Sequence, residues 1–154
     1  MTMPVKTTET PSQTHEVTIS RDIAASPERV FEIWTDPQAM MHWFGKDGMT
    51  SIDMAFEAEE GGHWHARARN ADGETFRILG RILAIEPARR LLQSWTYEAP
   101  DGTLGNETEV EILFEPSAKG CRVRVCHRKI LYTPDAFRDG WEQSVGRIAA
   151  MLTS

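Results

Sequence analysis

The chain of 154 residues has few cysteines, no long apolar run and fewer basic than acidic side chains. Its two cysteines, Cys121 and Cys126, fall on one predicted strand, so they lie about 16 Å apart on opposite faces. Disulfide-bonded Cα atoms lie within about 7 Å of each other, which excludes a bridge between these two. Two unpaired thiols fit a reducing compartment, and we expect a cytoplasmic protein.

Charge and hydropathy argue against two classes of protein, those that bind nucleic acid and those that span a membrane. The formal net charge is −6, from 17 basic and 23 acidic residues, whereas nucleic-acid binding needs clustered Lys and Arg. No stretch approaches the roughly 18 apolar residues of a membrane-spanning helix. Residues 1–13 lack the apolar core of a signal peptide. We expect them to form a disordered tail, followed by a single domain over residues 14–154.

Catalytic and metal-binding motifs are also scarce. The chain has no Gly-x-Ser-x-Gly elbow, no phosphate-binding glycine loop and no paired-carboxylate motif. His63 and His65 point the same way on a predicted strand, but Arg67 and Arg69 continue that face, and their charges would oppose a metal cation. We therefore predict no metal site, no cofactor and no catalytic residue. An enzyme that uses His127 as an acid or base stays a less favoured alternative.

The predicted elements follow one another in an order typical of an α+β protein. A strand at His15–Ala24 precedes two short helices, of which the first starts at Ser26-Pro27 and the second spans Pro37–Trp43. A long helix at Pro134–Leu152 ends the chain. Strands and helices do not alternate, so a doubly wound parallel sheet is excluded. The predicted antiparallel strands are Thr50–Phe56, His63–Arg69, Glu74–Ile85, Leu91–Glu98, Thr108–Phe114 and Cys121–Arg128.

The last predicted strand carries one histidine on an apolar face. Between the inward positions stand Arg122 and Arg124, which we expect to face Glu109 and Glu111 across a hairpin. The apolar pattern does not itself require an imidazole, so His127 is the first candidate for a polar group in a binding site. A core histidine bonded to backbone or water is the alternative. The inward positions are Cys121, Val123, Val125 and His127.

Strand phase places a set of aromatic and polar side chains on the same inner surface. Small residues beside them (Ala66, Ala68 and Gly80) leave volume that the long helix need not fill, and a few polar groups in an apolar pocket orient a ligand. A filled core is the alternative. Trp43 and Phe44, ahead of Gly45, either gate the cavity mouth or fasten the short helix to the sheet. The predicted ligand pocket comprises Trp64, Phe76, Ile78, Gln93, Trp95, Tyr97, His127, Phe137 and Trp141.

Several short motifs in one order resemble a known family. The chain over roughly residues 14–153 is similar to the activator of heat-shock-protein-90 ATPase homologue-like proteins of the START-like, SRPBCC superfamily. The motifs that carry the resemblance are Ser26–Gly45, Gly61–Trp64, Ile85–Pro87 with Leu91, Ser94–Trp95, Cys126–Arg128 and Gly140–Glu142, which runs on to Ile148 and Leu152.

The resemblance implies a helix-grip fold, in which a curved antiparallel sheet of about six to seven strands wraps around the C-terminal helix. It also implies a deep cavity between sheet and helix, used across the superfamily for hydrophobic ligands. We therefore predict a protein that binds a small apolar or amphipathic molecule. A chaperone-associated interaction module, a homodimer and a cyclase- or hydrolase-like enzyme with His127 are the alternatives.

Overall fold

The computed structural model describes residues 13–153. The tail predicted at residues 1–13 therefore falls outside the described residues, except for Gln13, and stays a prediction. The elements in chain order are β1 His15–Ile23, α1 Pro27–Thr35, α2 Pro37–Trp43, β2 Thr50–Phe56, β3 His63–Arg69, β4 Thr75–Glu86, β5 Arg90–Glu98, β6 Thr108–Pro116, β7 Cys121–Ile130 and α3 Pro134–Thr153.

The seven strands form one open antiparallel sheet in the order β1-β7-β6-β5-β4-β3-β2. Strands β2 to β7 form a meander, and β1 joins its far edge through β7. The predicted α+β class, with two short helices after the first strand and a long C-terminal helix, is confirmed. No helix within residues 13–153 is long and apolar enough to cross a membrane.

The two short helices are held by their caps. The Oγ atom of Ser26 accepts a hydrogen bond from the amide of Arg29 at 3.1 Å, as expected of an N-cap before proline. Asp36 ends α1 and caps α2, where its carboxylate accepts from the Gln38 amide at 2.9 Å. The indole of Trp43 then donates to the carbonyl of Ile33 at 3.0 Å, which locks α2 against α1.

Helix α3 packs an apolar stripe against one face of the sheet. Trp141, Val145 and Ile148 are all buried in the core, as helical spacing of apolar residues requires. The inward rows of the strands complete this core: Val17, Ile19 and Ile23; Ala66 and Ala68; Phe76, Ile78 and Ile82; Val110, Ile112 and Phe114; Val123 and Val125.

The outer row of the β6–β7 hairpin differs from the predicted pairing. Glu109 faces Arg128, and Glu111 lies opposite Cys126, so neither glutamate faces Arg122 or Arg124. The prediction was wrong because the register depends on the turn: Pro116 pairs with Cys121 directly, and only four residues connect them. The result is a network of ion pairs in which Arg128 contacts both Glu109 and Glu111.

Candidate functional site

A cavity of about 420 Å³ opens between the sheet, the first turns of α3 and the loop after α2. Aromatic and aliphatic side chains make up most of its wall, and polar side chains stand among them. The lining residues include Phe44, Lys46, Met49, Asn70, Phe76, Ile78, Trp95, Tyr97, Asn106, Thr108, Ile130, Leu131, Tyr132, Thr133, Ala136, Phe137, Gly140, Trp141 and Ser144.

The structure divides the nine residues of the predicted pocket into two groups. Six line the cavity, and three lie behind its wall in the core. Tyr97 stands at the mouth, where 39% of its surface is exposed. The lining group is Phe76, Ile78, Trp95, Tyr97, Phe137 and Trp141, and the group outside the lining is Trp64, Gln93 and His127. Ligand contact by any of the nine stays a prediction.

Trp64 lies outside the lining because it fills the space that Gly80 leaves on β4. Its indole nitrogen donates to the backbone carbonyl of Ser94 on β5 at 2.9 Å. The volume expected beside Gly80 is thus occupied by an indole ring. Ala66 and Ala68 are buried and do not line the cavity either. The open space lies farther along the sheet, beside Phe76 and Ile78.

His127 is fully buried and sits in a continuous hydrogen-bonded chain. The indole N–H of Trp141 donates to its Nδ1 at 3.0 Å. Its Nε2 lies 2.7 Å from the hydroxyl of Thr108, and that hydroxyl donates to the carbonyl of Trp95 at 2.9 Å. Because the hydroxyl proton is already committed, Nε2 carries the imidazole proton and donates it to Thr108.

This arrangement fixes His127 in one neutral tautomer. A proton on Nδ1 would point at the indole N–H of Trp141, so the charged form loses a hydrogen bond as well as its solvation. Burial lowers the pKa of His127 to about 3. Both ring nitrogens are therefore occupied and the ring is neutral near pH 7, which argues for a core histidine instead of an acid–base group.

Two inward polar atoms on β5 have no hydrogen-bond partner among the described residues. They are Oε1 of Gln93 and the indole nitrogen of Trp95. An unpaired buried polar atom costs about 1–3 kcal/mol, so each lowers the stability of the core. The ring of Trp95 lines the cavity.

The loop after α2 forms one wall of the cavity and is clamped by α3. The hydroxyl of Ser144 accepts from the amide of Gly45 at 3.0 Å and donates to the carbonyl of the same residue at 3.1 Å. The guanidinium of Arg147 donates to the carbonyls of Trp43 and Gly45 and to the carboxylate of Asp47 at 2.6 Å. The clamp thereby fixes the backbone from Trp43 to Asp47 against α3.

Phe44 and Trp43, the pair at the end of α2, have different roles in the structure. Trp43 is a core residue. The ring of Phe44 lines the cavity and stacks on Trp95, with ring centroids 5.6 Å apart and planes at 24°. Phe44 is therefore a fixed part of the wall, supported from behind by Trp64 at 6.3 Å.

We expect Arg147→Met to lower the free energy of unfolding by about 2 kcal/mol, because the carbonyls of Trp43 and Gly45 lose a charged donor and the exposed carboxylate of Asp47 loses its ion pair. Arg29→Met is the matched control, since Arg29 is exposed and Glu32 of α1 is its one ion-pair partner among residues 13–153; its cost should stay within about 0.5 kcal/mol. Urea unfolding monitored by tryptophan fluorescence measures both. Equal midpoints for the two variants would contradict the clamp.

Several lining residues were absent from the predicted pocket. Lys46, Asn106 and the segment 131–133 lie in loops, where strand and helix periodicity gives no signal. Lys129, the next-to-last residue of β7, and Thr133, the last residue of the segment, have positive φ angles of 66° and 53°. Non-glycine residues rarely adopt this region without support from their surroundings. The two positive φ angles turn the chain sharply from β7 into α3, and the segment thereby forms a wall of the cavity.

The histidine pair on β3 lies on the outer face of the sheet. Nε2 of His65 lies 2.9 Å from Asp53, which also pairs with Arg67 at 3.1 Å. His63 lies beside Glu57, and its amide donates to that carboxylate at 2.7 Å. No cluster of three or more metal-ligating side chains occurs among residues 13–153.

The family model for activator of Hsp90 ATPase homolog 1-like proteins matches residues 24–153. The chain belongs to this family. The match covers α1, α2, β2 to β7 and α3, so it includes every element that lines the cavity.

Solved structures share the fold of this chain. A Chromobacterium violaceum protein is 22% identical, covers 90% of this chain and 98% of its own, and has a TM-score of 0.82. The AHSA1 protein from Silicibacter pomeroyi is 23% identical over 90% and 97% of the two chains, with a TM-score of 0.79. An AHSA1-like protein from Aeromonas hydrophila has 20% identity, coverages of 90% and 92% and a TM-score of 0.71. A search of curated proteins found no match.

Proposed function

We propose that this family member binds a small apolar or amphipathic molecule in the cavity between its sheet and α3. The observation that carries the proposal is the cavity itself: about 420 Å³, with aromatic walls. Cavities of about 300–1,000 Å³ with apolar walls and a few polar groups are typical of small-molecule sites. A cytoplasmic location, expected from the two free thiols, is part of the proposal.

The aromatic walls support binding of a flat or elongated molecule. Trp95 contacts Phe44, Trp141 and His127, with ring centroids between 5.1 and 5.6 Å apart. Rings in such mutual contact keep their orientation, so they offer a preformed surface instead of collapsing into the space. Preformed sites lose less conformational entropy on binding.

Two alternatives have less support. Catalysis by His127 would need a free ring nitrogen near the cavity, and both of its nitrogens are bonded in the core. A chaperone-type partner or a second copy of the chain would need an exposed apolar face. Of the four large apolar side chains exposed among residues 13–153, Tyr97 and Tyr132 line the cavity, which favours a ligand site as the use of that surface.

Titration with the neutral dye N-phenyl-1-naphthylamine tests the proposal. We expect saturable fluorescence enhancement with a dissociation constant on the order of 1–100 μM, given the affinity that ligands of this size attain. Ala136→Trp should abolish it, because Ala136 is a half-buried lining residue of α3 and an indole there fills the space.

Asp139→Trp is the matched control, since Asp139 is exposed on the same helix and does not line the cavity. It should bind the dye as the wild type does. Equal binding by the wild type and Ala136→Trp would show that the dye binds elsewhere, and absence of binding by the wild type would remove the proposal.

A further inference from the structure

The cavity lining is asymmetric in charge. Among the described residues that line it, Lys46 is the one basic side chain, and none is aspartate or glutamate. This contrasts with a chain that has 23 acidic residues and a formal net charge of −6. A wall without acids and with one cation selects against cationic ligands.

Lys46 is held at the mouth by the way its stem packs. A Cβ atom built on Gly140 of α3 would lie 3.3 Å from Cγ and 3.9 Å from Cδ of Lys46. The stem therefore crosses the helix at a position where a side chain is missing. Lysine stems commonly lie along such surfaces while the ammonium group stays in water. The clamped backbone of Gly45, with its hydrogen bonds to Ser144, fixes the start of this stem.

The ammonium group of Lys46 has no ion-pair partner among residues 13–153. Its acidic neighbour Asp47 is held by Arg147 at 2.6 Å. The guanidinium thereby partly neutralises the carboxylate closest in sequence to Lys46. An unpaired cation at the mouth of an apolar cavity is a site for one anionic group.

Acidic side chains make the electrostatic potential near Tyr97, at the mouth of the cavity, more negative. Burial raises the pKa of Tyr97, and the charges of Glu74, Asp72 and Asp101 raise it further. These three carboxylates belong to the β3–β4 and β5–β6 connections. They oppose an anion beside Tyr97, so an anionic group is favoured at Lys46.

We infer that the ligand class is an amphipathic organic anion, with an apolar or aromatic body between Trp95, Phe137 and Trp141 and one carboxylate- or sulfonate-type group at Lys46. The inference rests on the proposed function and adds the charge and the orientation of the ligand. Neutral and cationic amphipaths of the same shape bind more weakly.

Two dyes that differ by one group test the charge directly. 8-Anilino-1-naphthalenesulfonate is N-phenyl-1-naphthylamine with an added sulfonate, so the ratio of their dissociation constants isolates the anion. We expect the ratio to favour the anionic dye at low ionic strength, and Lys46→Met to shift it against that dye by roughly 3- to 5-fold, as an ion pair at a partly exposed site allows. Lys46→Glu should shift it further, and high salt should narrow the difference.

Lys119→Met is the matched control, because Lys119 is exposed in the β6–β7 turn, outside the cavity lining, and it should keep the wild-type ratio. A ratio unchanged by Lys46→Met while both dyes still bind overturns the charge inference and leaves ligand binding in place. Absence of binding for both dyes to the wild type overturns the inference and the proposed function together.

Discussion

Gly80→Ala is expected to lower the free energy of unfolding by about 3–5 kcal/mol, or to prevent folding. A Cβ atom at this position would lie 2.0 Å from the backbone carbonyl oxygen of Ser94 and 2.5 Å from the indole nitrogen of Trp64. To relieve both contacts, β4 must move away from β5 and the indole must shift as well, which disturbs its buried hydrogen bond to Ser94. Overpacking costs about 1–3 kcal/mol and a lost buried partner a similar amount.

Gly105→Ala provides the matched control. A Cβ atom there would meet its nearest neighbour, the carbonyl of Tyr97, at 3.7 Å, which is an ordinary contact, and the residue is not among the glycines with positive φ. We expect a change within about 0.5 kcal/mol. Equilibrium unfolding in guanidinium chloride measures both. Wild-type stability in Gly80→Ala would contradict the close approach of Trp64 to β4.

Stability is expected to fall by about 2–3 kcal/mol between pH 6.5 and 4.5 because of His127 alone. Burial lowers the folded-state pKa from 6.5 to about 3, so the unfolded chain takes up the proton first. The stabilisation is complete above about pH 6.5 and is lost as the pH falls toward 3. Within this window, the free energy of unfolding falls by about 1.4 kcal/mol for each pH unit.

His127→Phe separates this effect from other titrations. An aromatic ring is kept, but the phenyl ring is larger than the imidazole and Trp141 and Thr108 lose their partner, so stability at pH 7 should fall by about 2–4 kcal/mol while the slope between pH 6.5 and 4.5 flattens. His42→Gln, at an exposed position of α2, should keep the slope. Unfolding midpoints of the wild type and both variants, measured at several pH values, give the slopes to be compared. A wild-type slope in His127→Phe would place the responsible group elsewhere.

The fold could be predicted from the sequence because the sequence signals for its helices and strands are local and agree with one another. Ser26-Pro27 and Asp36-Pro37 set the two helix starts, and the alternation from Cys121 to His127 sets the inward face of β7. Errors appeared where a turn decides the pairing, as in the register of Glu109 and Glu111. A shift of the turn changes every cross-strand partner, and the local alternation of the strand does not reveal it.

The site could be predicted from the sequence only at positions where strand or helix periodicity directs a side chain into it. Phase identified Phe76, Trp95 and Phe137 as inward, but it does not distinguish an inward residue that meets open space from one that meets another side chain. Trp64 meets the gap at Gly80, and His127 meets Trp141 and Thr108, so both belong to the core. Lys46 lies in a loop, and its place depends on contacts of the neighbouring residues with α3, about a hundred residues away in sequence.

Spectra of the five tryptophan indoles during titration with N-phenyl-1-naphthylamine test the central claim, that the cavity between sheet and α3 binds a ligand. The ¹H–¹⁵N signals are assigned by single Trp→Phe variants. Trp95 and Trp141 line the cavity, whereas Trp34, Trp43 and Trp64 do not. We predict that the largest saturable shifts occur at Trp95 and Trp141 and vanish in Ala136→Trp. Shifts that are absent, or that are largest at the other three indoles, would contradict binding in this cavity.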